Sequence, residues 1–182
     1  MRSGLLRAAA PLLGLLALLG SARAEGLPGL KDLPSLKDLP SLGGERLAGV
    51  DVDVRPLLAL GGGVPALALR EDLLAALKAE FADRLGGRGP VLLVRIKGLS
   101  INPYAGGDGG RGRLGGGTQS DYLDGEALLI GRRGEVLARH PQLSAVPSSS
   151  GGAWYDPASE RRRVTAIAQH YAGWLRRALP QD

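Results

Sequence analysis

The apolar positions change period along the chain, and each period implies an element. Val50, Val52 and Val54 alternate with Asp51 and Asp53, the period of two that gives a strand one wet face. Gly61-Gly-Gly-Val-Pro65 then reads as a break. From Arg70 to Leu85, Leu74, Leu77, Phe81 and Leu85 recur at helical spacing; acids open the segment and Gly86-Gly87 closes it. Those features predict an amphipathic helix with a dipole-matched start and a glycine stop. Alternation returns at Val91, with Leu92, Val94 and Ile96 opposite Arg95 and Lys97. After Gly98 the apolar set slips by one residue to Leu99 and Ile101, which predicts a β-bulge at Gly98.

Between Ser120 and Val146, two apolar-rich runs flank Gly131-Arg-Arg-Gly134, the pattern of a β-hairpin. Asp156-Pro157 offers a capping residue followed by proline at the first helical position. The stripe Val164, Ile167, Ala168, Tyr171, Trp174, Leu175 and Ala178 continues it as a helix, with Tyr171 and Trp174 expected in the core. Arg176 and Arg177 suit its C-terminal dipole. The order β-α-β-β-β-α predicts an α+β fold: a small mixed β-sheet with two helices packed on one face. A right-handed crossover makes the first two strands parallel, and the rest form an antiparallel meander.

Residues 1–24 read differently. Arg2 and Arg7 precede an apolar run from Ala8 to Leu19, and Ala22-Arg-Ala24 follows. This is the pattern of a signal peptide cleaved after Ala24. The apolar run is shorter than the ~20 residues a spanning helix needs, so no transmembrane segment is expected in the mature chain. Removing Arg2, Arg7 and Arg23 from the 23 cations leaves 20 against 18 acids, a net charge of +2. An exported, nearly neutral chain is a poor nucleic-acid partner. The sequence contains no cysteine. That excludes disulfides, thiolate metal sites, cysteine nucleophiles and lipidation of a cysteine after the leader. The scarcity of Lys beside abundant Arg, Ala, Leu and Gly suggests a GC-rich bacterial genome, and hence the periplasm.

Residues 25–44 form an arm ahead of a single domain at 45–182. Leu30-Lys-Asp-Leu-Pro-Ser35 repeats as Leu36-Lys-Asp-Leu-Pro-Ser41, and Leu27, Leu30, Leu33, Leu36, Leu39 and Leu42 recur every third residue. Pro28, Pro34 and Pro40 block a regular α-helix. In a polyproline II helix, with three residues per turn, all six leucines share one edge. The arm is therefore either a docking element that lays this edge into a groove of a partner or of its own domain, or a low-complexity spacer.

Candidate chemistry is sparse. Asp51-x-Asp53 is explained by strand alternation, with no third ligand nearby, so no metal site is assigned. Ser148–Ser150, His140 and Asp156 hold the residue types of a hydrolytic triad, but no G-x-S-x-G frames them. His140 stands beside Pro141 at a possible strand kink, and His170 flanks the helix stripe; two separated histidines make a weak ligand set. No catalytic residue and no cofactor is assigned. The glycine-rich segment 104–117, with eight glycines, matches no phosphate loop. It reads as a hairpin loop or as a flap over a binding face. Trp154 and Tyr155, in a Ser/Gly-rich stretch, form a candidate stacking pair; Trp154 could equally plug the core. Arg95, Lys97 and Arg139, on the wet strand face, form a candidate site for an anionic polymer.

Over residues 45–180 the element order resembles small exported bacterial envelope proteins of unknown function, and the helix-on-meander accessory domains of periplasmic assembly and transport systems. The resemblance implies a non-catalytic accessory or protein-binding module with an envelope partner. A glycan- or anionic-polymer-binding domain is the second expectation, and a hydrolase the third.

Overall fold

The computed structural model describes residues 33–35, 46–102, 119–153 and 155–179. The expected leader and cleavage site, segment 104–117, Trp154, and Leu27, Leu30, Leu36, Leu39 and Leu42 lie outside the described residues.

Four strands form one sheet in the order β1-β2-β3-β4: β1 (Gly49–Asp53), β2 (Val91–Ser100), β3 (Ser120–Ile130) and β4 (Val136–Pro147). β1 and β2 are parallel, and the other two pairings are antiparallel. The expected α+β arrangement is present. Pairing shifts between Ile96 and Gly98, where the sequence places a bulge. Gly134, with φ of +85°, closes the β3–β4 hairpin in the left-handed region, which glycine enters without steric cost.

The helices are α1 (Arg55–Ala59), α2 (Gly63–Glu80) and α3 (Ser159–Ala178). Their apolar faces cover the side of the sheet that carries Leu92, Val94, Ile96, Leu123, Ala127 and Leu129. α2 differs from the sequence reading. It starts at Gly63, so the expected break is largely helical, and proline is tolerated there because early helical N–H groups lack intrahelical partners. Its buried stripe is Ala66, Leu69, Leu73 and Leu77, continued by Phe81, while Leu74 is only partly buried. Leu85 leaves the helix and bridges Leu47 in parallel. α1 has no periodic stripe to announce it. It forms because Asp53 accepts the Arg55 N–H at 3.0 Å and Pro56 occupies its first turn. α3 begins at Ser159 rather than at Pro157; Asp156 caps the preceding turn by accepting the Ala158 N–H at 2.9 Å.

Two aromatic positions part company. Tyr171 is fully buried, as expected. Trp174 is 50% exposed, which corrects its assignment to the core. It lies three residues beyond Tyr171, at the rim of the stripe rather than its centre.

A buried ion pair ties the sheet to α3. Arg163 Nε donates to Asp121 Oδ2 at 2.6 Å, and a second Arg163 nitrogen donates to the Asn102 carbonyl at 2.6 Å. Asp121 also accepts the Asn102 N–H at 3.1 Å and the Ser148 hydroxyl at 2.9 Å. The two chain ends flanking segment 103–118 are thereby fastened together beneath α3.

Candidate functional site

Among the described residues β4 is an edge strand, and a groove runs beside it. In an antiparallel ladder alternate residues face the neighbour and the outside. Ser148 N–H bonds Gln119 on the β3 side, so even-numbered positions face β3 and odd-numbered ones face out. Pro141 and Pro147 both fall on the outward row, where a missing N–H breaks no ladder bond. Beyond the register shift that skips Leu137, the outward donors on this edge are Arg139, Leu143 and Ala145.

One of those donors is used by the arm. Arg139 N–H donates to the Pro34 carbonyl at 3.1 Å. Leu33 and Ser35 on either side are partly buried. At Pro34 the arm therefore meets the sheet edge of its own domain through the main chain.

Past Arg139 the groove opens to about 510 Å³, between His140, Gln142, Leu143 and Ser144 on β4 and His170, Trp174 and Arg177 on α3. Gln142 crosses it, donating to the Tyr171 carbonyl at 2.9 Å and to Ser144 Oγ at 3.3 Å. Trp174 Nε1 donates to His170 Nε2 at 2.9 Å, and the Arg177 guanidinium lies 4.4 Å from the Trp174 ring centroid. The half-exposed Trp174 ring is thus held on two sides. His170 is held neutral: burial, then the nearby Arg177 charge, lowers its pKa below the ordinary 6.5. The bond from Trp174 requires Nε2 to be unprotonated, which puts the neutral ring's proton on Nδ1. His170 Nδ1 is buried and has no hydrogen-bond partner among the described residues.

The sequence named the two histidines but had no means of joining them. His140 is on a strand and His170 on a helix thirty residues later, and only the packing of α3 over β4 makes them walls of one groove. Trp174 reads as inward in the sequence because it sits at the rim of a helical stripe. The one legible signal for this edge was the pair Pro141 and Pro147, six residues apart within a strand-like run.

The basic set is brought together, on the sheet face away from the helices. Arg139 Nε lies 2.6 Å from Glu126, Lys97 Nζ 3.0 Å and Arg95 3.8 Å. Arg95 also reaches Asp53 at 3.2 Å, as does Arg55 at 2.8 Å. Burial opposes ionisation of Glu126, but hydrogen bonds from Lys97 and Arg139 outweigh it and hold its pKa below 4.5. Arg55 is the main cause that Asp53 is held far below the usual carboxylate range. Each candidate cation thus has a carboxylate of the same domain within reach. Tyr155 is exposed, away from the groove lining. Among the candidate serines, Ser148 is buried and bonded to Asp121. No group of three His, Asp or Glu side chains among the described residues is placed to hold a metal ion, and no described helix is long and apolar enough to cross a membrane.

No family model matches the chain, and no curated protein matches its sequence. Among solved structures, the chain is similar to a dodecameric PelC from Paraburkholderia phytofirmans, at 14% identity and a TM-score of 0.40 over 78% of this chain and 93% of that one. It is similar to a Xanthomonas campestris protein of the DUF330 family, at 15% identity and a TM-score of 0.45 over 74% and 85%. A minor lipoprotein from Acinetobacter baumannii is 12% identical, with a TM-score of 0.41 over 76% and 91%.

Proposed function

We propose that this protein is a non-catalytic, exported accessory module of the bacterial envelope that holds an extended polypeptide segment along β4. The observation that carries the reading is the Arg139–Pro34 hydrogen bond. The proline-containing segment Leu33–Ser35 already uses a main-chain donor of this edge. Strand addition of this kind takes affinity from main-chain hydrogen bonds and selectivity from side-chain pockets. The groove supplies both, with outward N–H groups on Leu143 and Ala145 and the Trp174 anchor opposite them. Export is supported by the leader pattern of residues 1–24. The polymer-binding alternative draws less support, because the cations it needs are engaged by Glu126 and Asp53.

The test is fluorescence anisotropy with a labelled peptide of residues 25–42, titrated with a variant lacking residues 26–43. Micromolar binding that weakens at least tenfold with Leu143→Pro is expected. This substitution removes an outward donor and leaves the β3 ladder alone. An unbound peptide at millimolar protein defeats the proposal.

A further inference from the structure

We propose that the segment the groove takes is acidic: a stretch of a partner protein that runs beside β4 with an apolar side chain on Trp174 and a carboxylate on Arg177. This rests on the strand-addition reading above and names the chemistry of the occupant.

The arginines of α3 divide in two. Arg161, Arg162, Arg163 and Arg176 pair with Asp72, Asp156, Asp121 and Asp83 in turn. Arg177 pairs with no carboxylate among the described residues. It is exposed. The Gly173 carbonyl accepts from its Nε at 3.2 Å, and its guanidinium lies over the Trp174 ring. A stacked guanidinium uses its face, so its N–H edges stay available. With Nε engaged, the two terminal nitrogens remain for the two oxygens of one carboxylate.

Nothing in the groove cancels this charge. No Asp or Glu lines it, and the other titratable residues of the lining, His140 and His170, supply no negative charge. The acids of β3 beside this part of β4 are Asp124, opposite Leu143, and Glu126, opposite Pro141. They alternate with Leu123 and Ala127, which belong to the core under the helices, and so point to the other side of the sheet. Glu126 is also taken up by Lys97 and Arg139.

The spacing suits an extended chain. His170, Trp174 and Arg177 stand at i, i+4 and i+7 and share one face of α3. Trp174 and Arg177 are about 4.5 Å apart along the helix axis. The apolar side chain and the carboxylate therefore belong one or two residues apart in a strand that rises about 3.3 Å per residue. The arm does not supply this chemistry. Each of its repeats carries one Lys beside one Asp, Lys31-Asp32 and Lys37-Asp38, and brings no net negative charge. The complementary occupant is a segment of another protein.

The test is fluorescence anisotropy on the full mature chain with labelled Ser-Leu-Glu-Leu-Glu-Leu-Ser and the same peptide with Gln for each Glu. In about 50 mM salt the acidic peptide is expected to bind at least tenfold more tightly, a preference that shrinks as salt screens the charges. Arg177→Lys should keep most of the preference. Arg177→Glu should abolish it and favour a third peptide with Lys for each Glu, which a merely structural Arg177 would not do. Equal affinity for the Glu and Gln peptides, both weakened by Leu143→Pro, overturns the acidic assignment and leaves strand addition standing. A Glu preference that survives Arg177→Glu overturns it as well, because the carboxylate then sits elsewhere. Binding of every peptide that ignores Leu143→Pro removes strand addition, and this proposal with it. Displacement of the acidic peptide by a polyuronate at equal carboxylate concentration overturns the polypeptide occupant in favour of an acidic polysaccharide.

Discussion

Arg163 and Asp121 form an ion pair that solvent barely reaches, 4% and 0% exposed. Their geometry satisfies both partners, since Asn102 and Ser148 take up the remaining capacity. Removing one member leaves the other charged and buried, which costs about 3–5 kcal/mol. Asp121→Ala should lower stability by that amount in urea titrations. A change below about 1 kcal/mol would show that the pair is not needed to hold α3 on the sheet.

Trp174→Ala should cost no more than about 1.5 kcal/mol, because half of the side chain is already in water. Phe81→Ala, at a fully buried position, should cost about 3–5 kcal/mol. The comparison separates groove from core: Trp174→Ala should lower peptide affinity far more than it lowers the melting temperature. The reverse order would return Trp174 to the core.

The Tyr171 hydroxyl is buried, lies 3.0 Å from the position of a Cβ on Gly125, and has no hydrogen-bond partner among the described residues. Burial is the main reason that its pKa is pushed well above 10. Tyr171→Phe should therefore be neutral, or stabilising by up to about 1 kcal/mol. Gly125→Ala should be harmful, since the new methyl would stand 2.7 Å from the Arg95 carbonyl as well. Thermal melts of both variants check the pair of signs.

Acid should weaken the fold through Glu126. Its folded pKa lies below its ordinary 4.5, so its stabilising contribution is complete above pH 4.5 and is lost as pH falls through the lower folded value. Glu126→Gln should cost about 1 kcal/mol at pH 7 and flatten the stability profile below pH 4.5. An unchanged slope there would sink this assignment.

The groove should respond at milder acidity. The depressed pKa of His170 means that the folded state favours the neutral ring. Its contribution is complete above pH 6.5 and falls away as the ring protonates below that value. Arg177 on α3 opposes the new charge, and His140 is the titratable group across the groove. Protonation breaks the Trp174–His170 hydrogen bond, so tryptophan emission should change below pH 6.5 in the native chain and lose that change in His170→Gln.

Much of the fold was legible because strands alternate and helices repeat with different periods. The valines of β1, the Gly98 bulge, the Gly131–Gly134 turn and the α3 stripe all follow from spacing alone. α1 escaped because five residues cannot display a helical period. The start of α2 is hidden because Gly61-Gly-Gly-Val-Pro65 looks like a break, although its last three residues fit a first helical turn. The groove was harder. It is made by residues far apart in sequence, and its best anchor sits where a helical stripe grades from buried to exposed. The arm showed its leucine period but not its contact, because a main-chain hydrogen bond to Pro34 leaves no mark on side-chain pattern.

The hexapeptide repeat acquires a different meaning from the Arg139–Pro34 bond. Two identical copies would ordinarily be interchangeable, and replication slippage would delete one without penalty. Here the first copy includes the residue that touches β4, and the second lies between it and Arg46 in the sequence. Without Leu36–Ser41 only five residue steps, about 18 Å at full extension, would join Ser35 to Arg46, while the four strand spacings from β1 to a segment outside β4 alone come to about 19 Å. The duplication thus sets a tether length, and its loss would pull Pro34 away from Arg139 without changing a single residue that remains.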